Sequence, residues 1–196
     1  AQWRHVILAP GTDDAAAIDA IAADRSVESV IRNVWGEALL TPNDPQFSSQ
    51  WGLHNTGQTG GTPDADIDAP EAWDLETSAN SIVVAITDTG IDYTHPDLAA
   101  NMWRNPGEIP GNGLDDDLND IIDDVFGADF YWGDGDPLDG DAFHGTHVAG
   151  IVGAVGNNGI GVTGTAWSVK LMAVKWQAGW TGDGNCAGAI DAVVYA

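Results

Sequence analysis

Residues 81–90 read Ser-Ile-Val-Val-Ala-Ile-Thr-Asp-Thr-Gly. The run from Ile82 to Ile86 is apolar and mostly β-branched, which is typical of a strand that is buried on both faces of a parallel sheet. We predict this strand over residues 81–87, and Asp88 follows it directly. In open α/β sheets, ligands and catalytic groups collect at the carboxyl ends of the strands. The stretch therefore predicts an α/β fold and makes Asp88 a candidate functional carboxylate, although a turn residue with a satisfied side chain is the other interpretation of Asp88 taken alone.

Strands and helices alternate on the carboxyl side of this stretch. Residues 144–155 are predicted to form a helix, and its many Gly and Ala residues require a close packing partner. Residues 169–174 are predicted to form a second buried strand, and residues 187–195 another helix. This alternation predicts a parallel sheet that is flanked by helices and joined by right-handed crossovers. An acidic, glycine-rich stretch, residues 101–141, separates the first strand from the first of these helices.

Residues 1–41 form a separate α+β unit ahead of the main domain, which spans residues 42–196. A strand is predicted over residues 5–9 and a second one over residues 27–40. Between them, Thr12 is the predicted N-cap of a helix whose first turn is acidic. A strand–helix–strand unit this short has little core of its own, so it needs a partner surface.

The composition restricts the partners of the chain. Six basic residues against thirty acidic ones give a formal net charge of −24, and a chain this acidic is not expected to bind nucleic acid. No apolar run is long enough to cross a membrane, and Cys186 is the only cysteine, so it has no partner for a disulfide within the chain. The chain has no leader at its start and stops within a helix-like pattern, which indicates a fragment.

A second motif, residues 144–150, reads His-Gly-Thr-His-Val-Ala-Gly and places His144 at the start of the predicted helix. An imidazole at a helix start and the carboxylate of Asp88 at a strand end can meet across an α/β sheet. Asp88 would then hold one ring nitrogen of His144 and stabilise the imidazolium, while the other nitrogen accepts a proton from a hydroxyl group. The two motifs together indicate acid–base chemistry.

Two other chemistries fit parts of these motifs less well. His144 and His147 are spaced like zinc ligands, but no Glu lies between them and no third ligand is evident, so a structural role is favoured for His147. The sequence Asp-Thr-Gly at residues 88–90 is also found in aspartic peptidases. That mechanism requires a second carboxylate that shares one proton, and the chain has no second Asp-Thr-Gly or Asp-Ser-Gly.

Residues 86–92 and 144–150, together with His95-Pro-Asp-Leu98, closely resemble the subtilase family of serine peptidases, above all its thermitase-like bacterial members. The resemblance extends from Asn43 onward. It implies that Asp88 and His144 are the acid and the base of an Asp-His-Ser triad. The family's serine and oxyanion-hole Asn lie further downstream, so the fragment is expected to be inactive as given.

The resemblance implies that the intact protein is a secreted, monomeric serine endopeptidase that acts on protein or peptide substrates. A catalytically silent relative, a calcium-dependent binding module with the same fold, is the alternative. Residues 1–41 resemble the second half of a propeptide, which assists folding and inhibits the enzyme until it is cleaved within residues 38–43. An unrelated N-terminal extension is the other interpretation of this segment.

Three residues before the last predicted helix resemble the strand with which the family pairs extended peptide: Gly182, Asp183 and Gly184. Glycine permits a close backbone approach, and strand addition tolerates many sequences. An ordinary surface turn is the other interpretation. Phe143 stands where relatives often have Gly, and it is expected to narrow the access to His144.

Three oxygen-rich clusters are candidate calcium sites, since Ca²⁺ takes six or more oxygen ligands. Family resemblance implies the first, which joins two carboxylates, one side-chain amide oxygen and three carbonyls: Asp44, Asp97, Asn158, Val155, Ile160 and Val162. It also implies the second: Asp129, Asp134 and Asp136. The third has the alternating spacing of a calcium loop: Asp115, Asp117 and Asn119. Related insertions carry Gly at positions 118 and 120, so a merely solvated acidic loop stays open for the third cluster. Calcium is expected to stabilise the mature fold.

Overall fold

The chain divides into two units, residues 1–38 and residues 39–196. The structure, a computed structural model, describes residues 6–9, 11–30, 39–140, 142–179 and 183–196.

The first unit contains helix α1, Asp14–Ala22. Its N-cap is Asp13, whose carboxylate accepts hydrogen bonds from the backbone N–H groups of Ala15 and Ala16 at 2.9 and 3.2 Å. The predicted N-cap, Thr12, was therefore wrong by one residue. The Asp13 carboxylate reaches two free N–H groups of the first turn and carries the charge that a helix N-terminus favours.

The two strands predicted for this unit are not found where the structure describes the chain. Residues 6–9 and 27–30 have no regular secondary structure. An extended segment becomes a strand only when a second segment accepts its backbone hydrogen bonds, and no such partner is present among the described residues. The rest of the second predicted strand lies mainly in residues 31–38, outside the described residues.

A parallel sheet of three strands forms the centre of the second unit. The strands are β1 (Ser78–Asp88), β2 (Gly127–Asp129) and β3 (Ser168–Lys175), in the spatial order β1-β3-β2. Both outer strands run parallel to β3 and end level with it, because Asp88 and Asp129 are each in register with Lys175. Three charged side chains therefore stand in a row at the carboxyl edge of the sheet.

Helices cover both faces of this sheet, which confirms the predicted α/β fold. Helix α3 (His144–Gly153) packs on one face and helix α4 (Cys186–Tyr195) on the other. Successive residues of β3 point to opposite faces. Those toward α3 are Val169, Leu171 and Ala173, and those toward α4 are Met172 and Val174. All are buried, and each large apolar side chain stabilises the fold by about 1.5–3 kcal/mol.

The remaining elements are short. Helix α2 (Ala69–Trp73) starts with a Pro in its first turn and buries Trp73, whose indole N–H donates to the carbonyl of Thr165 at 2.9 Å. Two 3-10 turns lie at Phe47–Ser49 and Ala99–Asn101. Strands β4 (Gln177–Ala178) and β5 (Asp183–Gly184) pair antiparallel just before α4.

The first strand differs from its prediction in burial. Burial on both faces was predicted over residues 81–87, but Ile82 and Val83 are 53% and 45% exposed. The register of β1 with β3 shifts between Ser78 and Val83, and the apolar clusters on the two faces of the sheet reach only Val84, Ala85 and Ile86 of the predicted strand. In the described part of the chain, no helix combines the length and the apolar character needed to span a membrane.

Candidate active site

Asp88 and His144 form the centre of the site. Nδ1 of His144 lies 2.7 Å from Oδ1 and 2.8 Å from Oδ2 of Asp88. The Asp88 side chain is 12% exposed, whereas that of His144 is 65% exposed. The contact that the two motifs predicted is thus present, with the carboxylate inside and one face of the imidazole open to solvent. Through Nδ1 the carboxylate orients the ring, and Nε2 is left available.

The start of α3 is held by side chains from outside the helix. Its N-cap, Phe143, has φ 52° and ψ 9° and makes no side-chain cap. The backbone N–H of Gly145 donates instead to the Thr89 hydroxyl at 2.9 Å, and that of Thr146 donates to the Asp139 carboxylate at 3.0 Å. Free N–H groups at a helix start need such partners. The position of His144 is therefore tied to two loops.

The glycines of the two motifs allow the close approach of α3 to the strand end. A Cβ on Gly145 would overlap the carbonyl oxygen of Gly90 and press on the side chain of Asp88. A Cβ on Gly90, which has φ +100°, would overlap the Pro137 carbonyl oxygen. The composition of the helix predicted a close packing partner, and this partner is the segment at the end of β1. The close approach brings the imidazole within hydrogen-bond distance of the carboxylate.

The electrostatics of the site favour a charged imidazole. The pKa of His144 is raised, mainly by its hydrogen bond to Asp88 and by the charge of that carboxylate. Partial burial lowers the pKa, and the charge of Asp139 raises it further. A base that is held by a carboxylate in this way takes up a proton readily and keeps the correct tautomer.

The zinc interpretation finds no support in the described residues. His147 is exposed on α3, and no cluster of three metal-binding side chains in the described part of the chain includes either histidine. The structure leaves His144 with a carboxylate partner rather than a metal-like arrangement.

An ion pair that the sequence did not predict lies beside the site. Nζ of Lys175 lies 2.9 Å from Oδ2 of Asp129, and this contact is an ion pair without hydrogen-bond alignment. The same Nζ donates a hydrogen bond to the carbonyl of Leu138 at 3.1 Å. Both residues are buried, at 8% and 2% exposure. The other Asp129 oxygen accepts the N–H groups of Tyr131 and Trp132. The ammonium group thus already compensates the carboxylate proposed as a calcium ligand.

The second calcium cluster is not assembled in the structure. Asp134 accepts the N–H of Asp136, and Asp136 accepts the hydroxyl of Tyr93. These two carboxylates and Asp129 do not form a group of converging oxygens among the described residues. Asp129 points inward to Lys175, whereas the other two lie on an exposed turn.

The residues of the first calcium cluster lie in one region of the fold, but Asn158 directs its amide NH2 group to Asp97, and its predicted ligand oxygen accepts the N–H of Ile160 at 2.7 Å. Asp44 and Asp97 are buried at 4% and 2% exposure, and both contact the loop over residues 155–162. The Asp97 carboxylate accepts the side-chain amide of Asn158 and the N–H of Val162, at 2.8 and 3.0 Å. Among the described residues neither carboxylate has a basic partner. Val155 and Ile160 lie on the same loop, so the predicted ligands share one region of the fold.

The third cluster gains a member. Carboxylate oxygens of Glu108, Asp115 and Asp117 lie within 4.8 Å of one another. Glu108 is 7% exposed, and its Oε2 is buried without a hydrogen-bond partner. Such an orphaned carboxylate oxygen fits a cation, because hard oxygens are the ligands of Ca²⁺. The amide of Asn119 instead bonds to neighbouring residues of the loop.

The turn of this acidic loop has a left-handed backbone at the two positions where glycine was expected. Leu118 and Asp120 have φ of 62° and 72°. A left-handed backbone is costly for Leu, by about 1–2 kcal/mol, and the side chain gains little in return because it is 84% exposed. The loss of the expected glycines therefore did not abolish the loop geometry.

The predicted substrate strand is described only in part. Gly182 lies outside the described residues, whereas Asp183 and Gly184 form β5 and are exposed. A Cβ on Gly184 would press on the ring and the carbonyl of Trp176. Glycine at this position therefore has a structural reason in addition to the predicted approach of a peptide.

Comparison with known proteins identifies the family. Residues 79–196 match the model of the subtilase family of S8 peptidases, so the chain belongs to the subtilase family. This match includes both Asp88 and His144.

Relatives and solved structures agree with this assignment. Subtilisin-like protease 1 of Plasmodium vivax is 45% identical over 137 residues, which cover 68% of this chain and 20% of that protein. An extracellular protease of Xanthomonas campestris is 38% identical over 187 residues, which cover 90% of this chain and 29% of that protein. The serine protease of Aeromonas sobria, solved with the chaperone ORF2, matches 68% of this chain and 20% of its own with a TM-score of 0.52 and 30% identity. This chain therefore spans about a fifth to less than a third of these relatives.

Proposed function

We propose that the whole protein is a serine endopeptidase of the thermitase-like type, in which Asp88 and His144 are two members of an Asp-His-Ser triad. The observation that carries the proposal is the contact of His144 Nδ1 with both carboxylate oxygens of Asp88, at 2.7 and 2.8 Å. The third member, a serine, and the oxyanion-hole Asn are supplied by sequence beyond residue 196. The greater length of the relatives supports this part.

The geometry suits two successive proton transfers. His144 first accepts the serine proton at Nε2, as the hydroxyl attacks the peptide carbonyl, and then donates it to the leaving amine. Asp88 keeps Nδ1 protonated and stabilises the imidazolium between these steps. The exposed face of His144 lets Nε2 reach both the serine and the substrate. We propose that Gly182, Asp183 and Gly184 bind extended peptide by main-chain hydrogen bonds.

Digestion of an unfolded protein by the whole protein tests the proposal. We expect cleavage that is optimal near neutral or alkaline pH and that a fluorophosphonate abolishes. An optimum well below neutral pH with fluorophosphonate resistance would instead indicate an aspartic peptidase. If the folded protein neither cleaves the substrate nor reacts with the fluorophosphonate, the catalytically silent binding module would be the better interpretation.

We also propose that residues 1–41 are the second half of a propeptide that assists folding and inhibits the secreted, monomeric enzyme. The Xanthomonas extracellular protease supports this, because a match over 90% of the chain must include part of residues 1–41. N-terminal sequencing of the purified extracellular enzyme is expected to begin between Ala38 and Asn43. An active extracellular form that begins at Ala1 would contradict the proposal.

Calcium is the proposed cofactor, as a stabiliser rather than a participant in catalysis. Two sites have the residues for it. The first joins Asp44 and Asp97 to the loop over residues 155–162, and the second is the acidic cluster of Glu108, Asp115 and Asp117. The latter is supported by the buried, unpartnered Oε2 of Glu108. A bound ion stabilises the folded state by about 3–4 kcal/mol when it is present at 100 to 1,000 times its dissociation constant.

We expect a chelator to lower the melting temperature of the whole protein by several degrees, because the loss of the ion removes about 3–4 kcal/mol of stability. Glu108→Gln is expected to weaken calcium binding at the acidic cluster at least tenfold in a calorimetric titration. Asp120→Asn is the matched control, because it removes one charge from an exposed side chain of the same loop that lies outside the cluster, and Asn tolerates the left-handed backbone at this position. A melting temperature that is unchanged by chelator, or equal calcium affinity of the two variants, would refute the assignment.

A further inference from the structure

Asp139 is a buried carboxylate that the proposed triad does not use. It is 6% exposed, although it lies in an acidic loop whose neighbours are open to solvent. One oxygen, Oδ2, accepts both the backbone N–H and the hydroxyl of Thr146, at 3.0 and 2.7 Å. The other, Oδ1, is buried without a hydrogen-bond partner among the described residues. Burying a carboxylate with an unpaired oxygen costs free energy of folding, which suggests that Asp139 has a specific role at this position.

The contacts of this residue join the two elements that carry Asp88 and His144. Thr146 lies two residues after His144 in the first turn of α3, and its hydroxyl also accepts the backbone N–H of Asp92 at 2.9 Å. The segment before Asp139 is fixed as well, because the carbonyl of Pro137 accepts the N–H of Ile91 at 3.0 Å. The loop therefore packs between the turn that follows Asp88 and the helix start that presents His144.

Packing against neighbouring side chains does not fix the position of the imidazole, because 65% of the His144 side chain is exposed. Its position depends on where the first turn of α3 begins. Phe143, the N-cap, offers no side-chain cap, so Thr89 and Asp139 fix that turn. Thr89 belongs to the strand-end motif, whereas Asp139 brings a negative charge and a separate loop. Errors of about 1 Å in a catalytic group lower rates by about a hundredfold.

We propose that Asp139 is a positioning residue for catalysis, which caps α3 at Thr146 and thereby holds the His144 imidazole against Asp88. This inference rests on the proposed peptidase function. Its charge acts in the same direction as its geometry, because a carboxylate near the imidazole favours the protonated form that arises during the reaction. The hydrogen bonds of Asp139 go to Thr146 rather than to His144 or Asp88, so it acts through the position of His144.

Two substitutions in the whole protein separate position from charge. Asp139→Ala removes the cap, and we expect kcat per active site to fall about 10- to 100-fold with KM nearly unchanged. Asp139→Asn keeps an oxygen that accepts from Thr146, so it is expected to restore kcat to within a few-fold. The acidic limb of its kcat/KM profile should move to lower pH, because the negative charge is gone. Active sites are counted by titration with a fluorophosphonate, which removes misfolded protein from the comparison.

Asp191→Asn is the matched control, since it removes one carboxylate charge from an exposed position of α4, and it is expected to behave as the wild type. An Asp139→Ala enzyme with unchanged kcat would overturn the proposal. If the Asp139→Ala variant does not fold, two other variants keep the proposal open to test. An Asp139→Asn enzyme whose kcat/KM profile keeps its acidic limb at the wild-type pH would overturn the charge effect. A Thr146→Val enzyme with unchanged kcat would overturn the positioning role. A wild-type protein that does not react with the fluorophosphonate would refute the peptidase function itself, which is a separate result.

Discussion

Replacing His144 by Ala in the whole protein is expected to lower kcat by about a million-fold, and Asp88→Asn by about ten-thousand-fold. The scale for His144 is the known loss in subtilisin, and the scale for Asp88→Asn is the known loss in a chymotrypsin-type triad; both are carried over to this chain. The larger loss belongs to His144 because the imidazole moves the proton. The smaller loss belongs to Asp88 because it orients the ring and stabilises its charge, through contacts of 2.7 and 2.8 Å.

His147→Ala is the matched control for this measurement. It removes the same side chain from the same helix, one turn further on, where the ring is exposed. We expect its kcat to stay within a few-fold of the wild type. Comparable losses for His144→Ala and His147→Ala, measured as initial rates on a peptide substrate, would contradict the assignment of the base.

Lys175→Met is expected to lower the free energy of unfolding by about 3–5 kcal/mol, because it leaves the buried charge of Asp129 without its partner. The side chains are 10% and 1% exposed, so solvent screens their contact of 2.9 Å only weakly. The carbonyl of Leu138 also loses its donor. The melting temperature of the whole protein is expected to fall by several degrees, measured by thermal denaturation.

The double variant Lys175→Met, Asp129→Asn is expected to recover much of this loss. It removes the unpaired charge, while the Asn side-chain oxygen can still accept from Tyr131 and Trp132. Lys170→Met on the same strand serves as the control and should cost less than about 1 kcal/mol, because this lysine is partly exposed and forms no ion pair with another described residue. A Lys175→Met protein that melts with the wild type would show that the pair contributes little.

The contact between Asp88 and His144 could be predicted from the sequence because general rules place both residues. A carboxylate after a buried strand lies at the functional edge of a parallel sheet, and a Gly-rich helix start can approach it closely. The predicted strand 169–174 and helix 187–195 differ from β3 and α4 by one residue or less at each end. Hydrophobic period and glycine content carry this information locally.

Other features depend on contacts that local patterns do not specify. Glu108 joins Asp115 and Asp117 only because the loop folds back, and nothing in its neighbours marks it as buried. Asp129 resembled a calcium ligand, but Lys175 from β3 compensates it. The sequence did contain a sign of this ion pair, because Lys175 is one of only six basic residues and lies at the end of a buried strand. The exposure of Ile82 depends on which residues of β1 the apolar clusters reach, which the apolar run does not encode.

We propose that the His144–Asp88 pair activates a serine of the same protein. The most direct test of this claim is covalent labelling of the whole protein with a fluorophosphonate, with the modified peptide located by mass spectrometry. We expect one modified serine C-terminal to residue 196, and a loss of labelling in His144→Ala but not in His147→Ala. A folded wild-type protein that remains unlabelled, or labelling that is equally fast without the His144 imidazole, would contradict the claim.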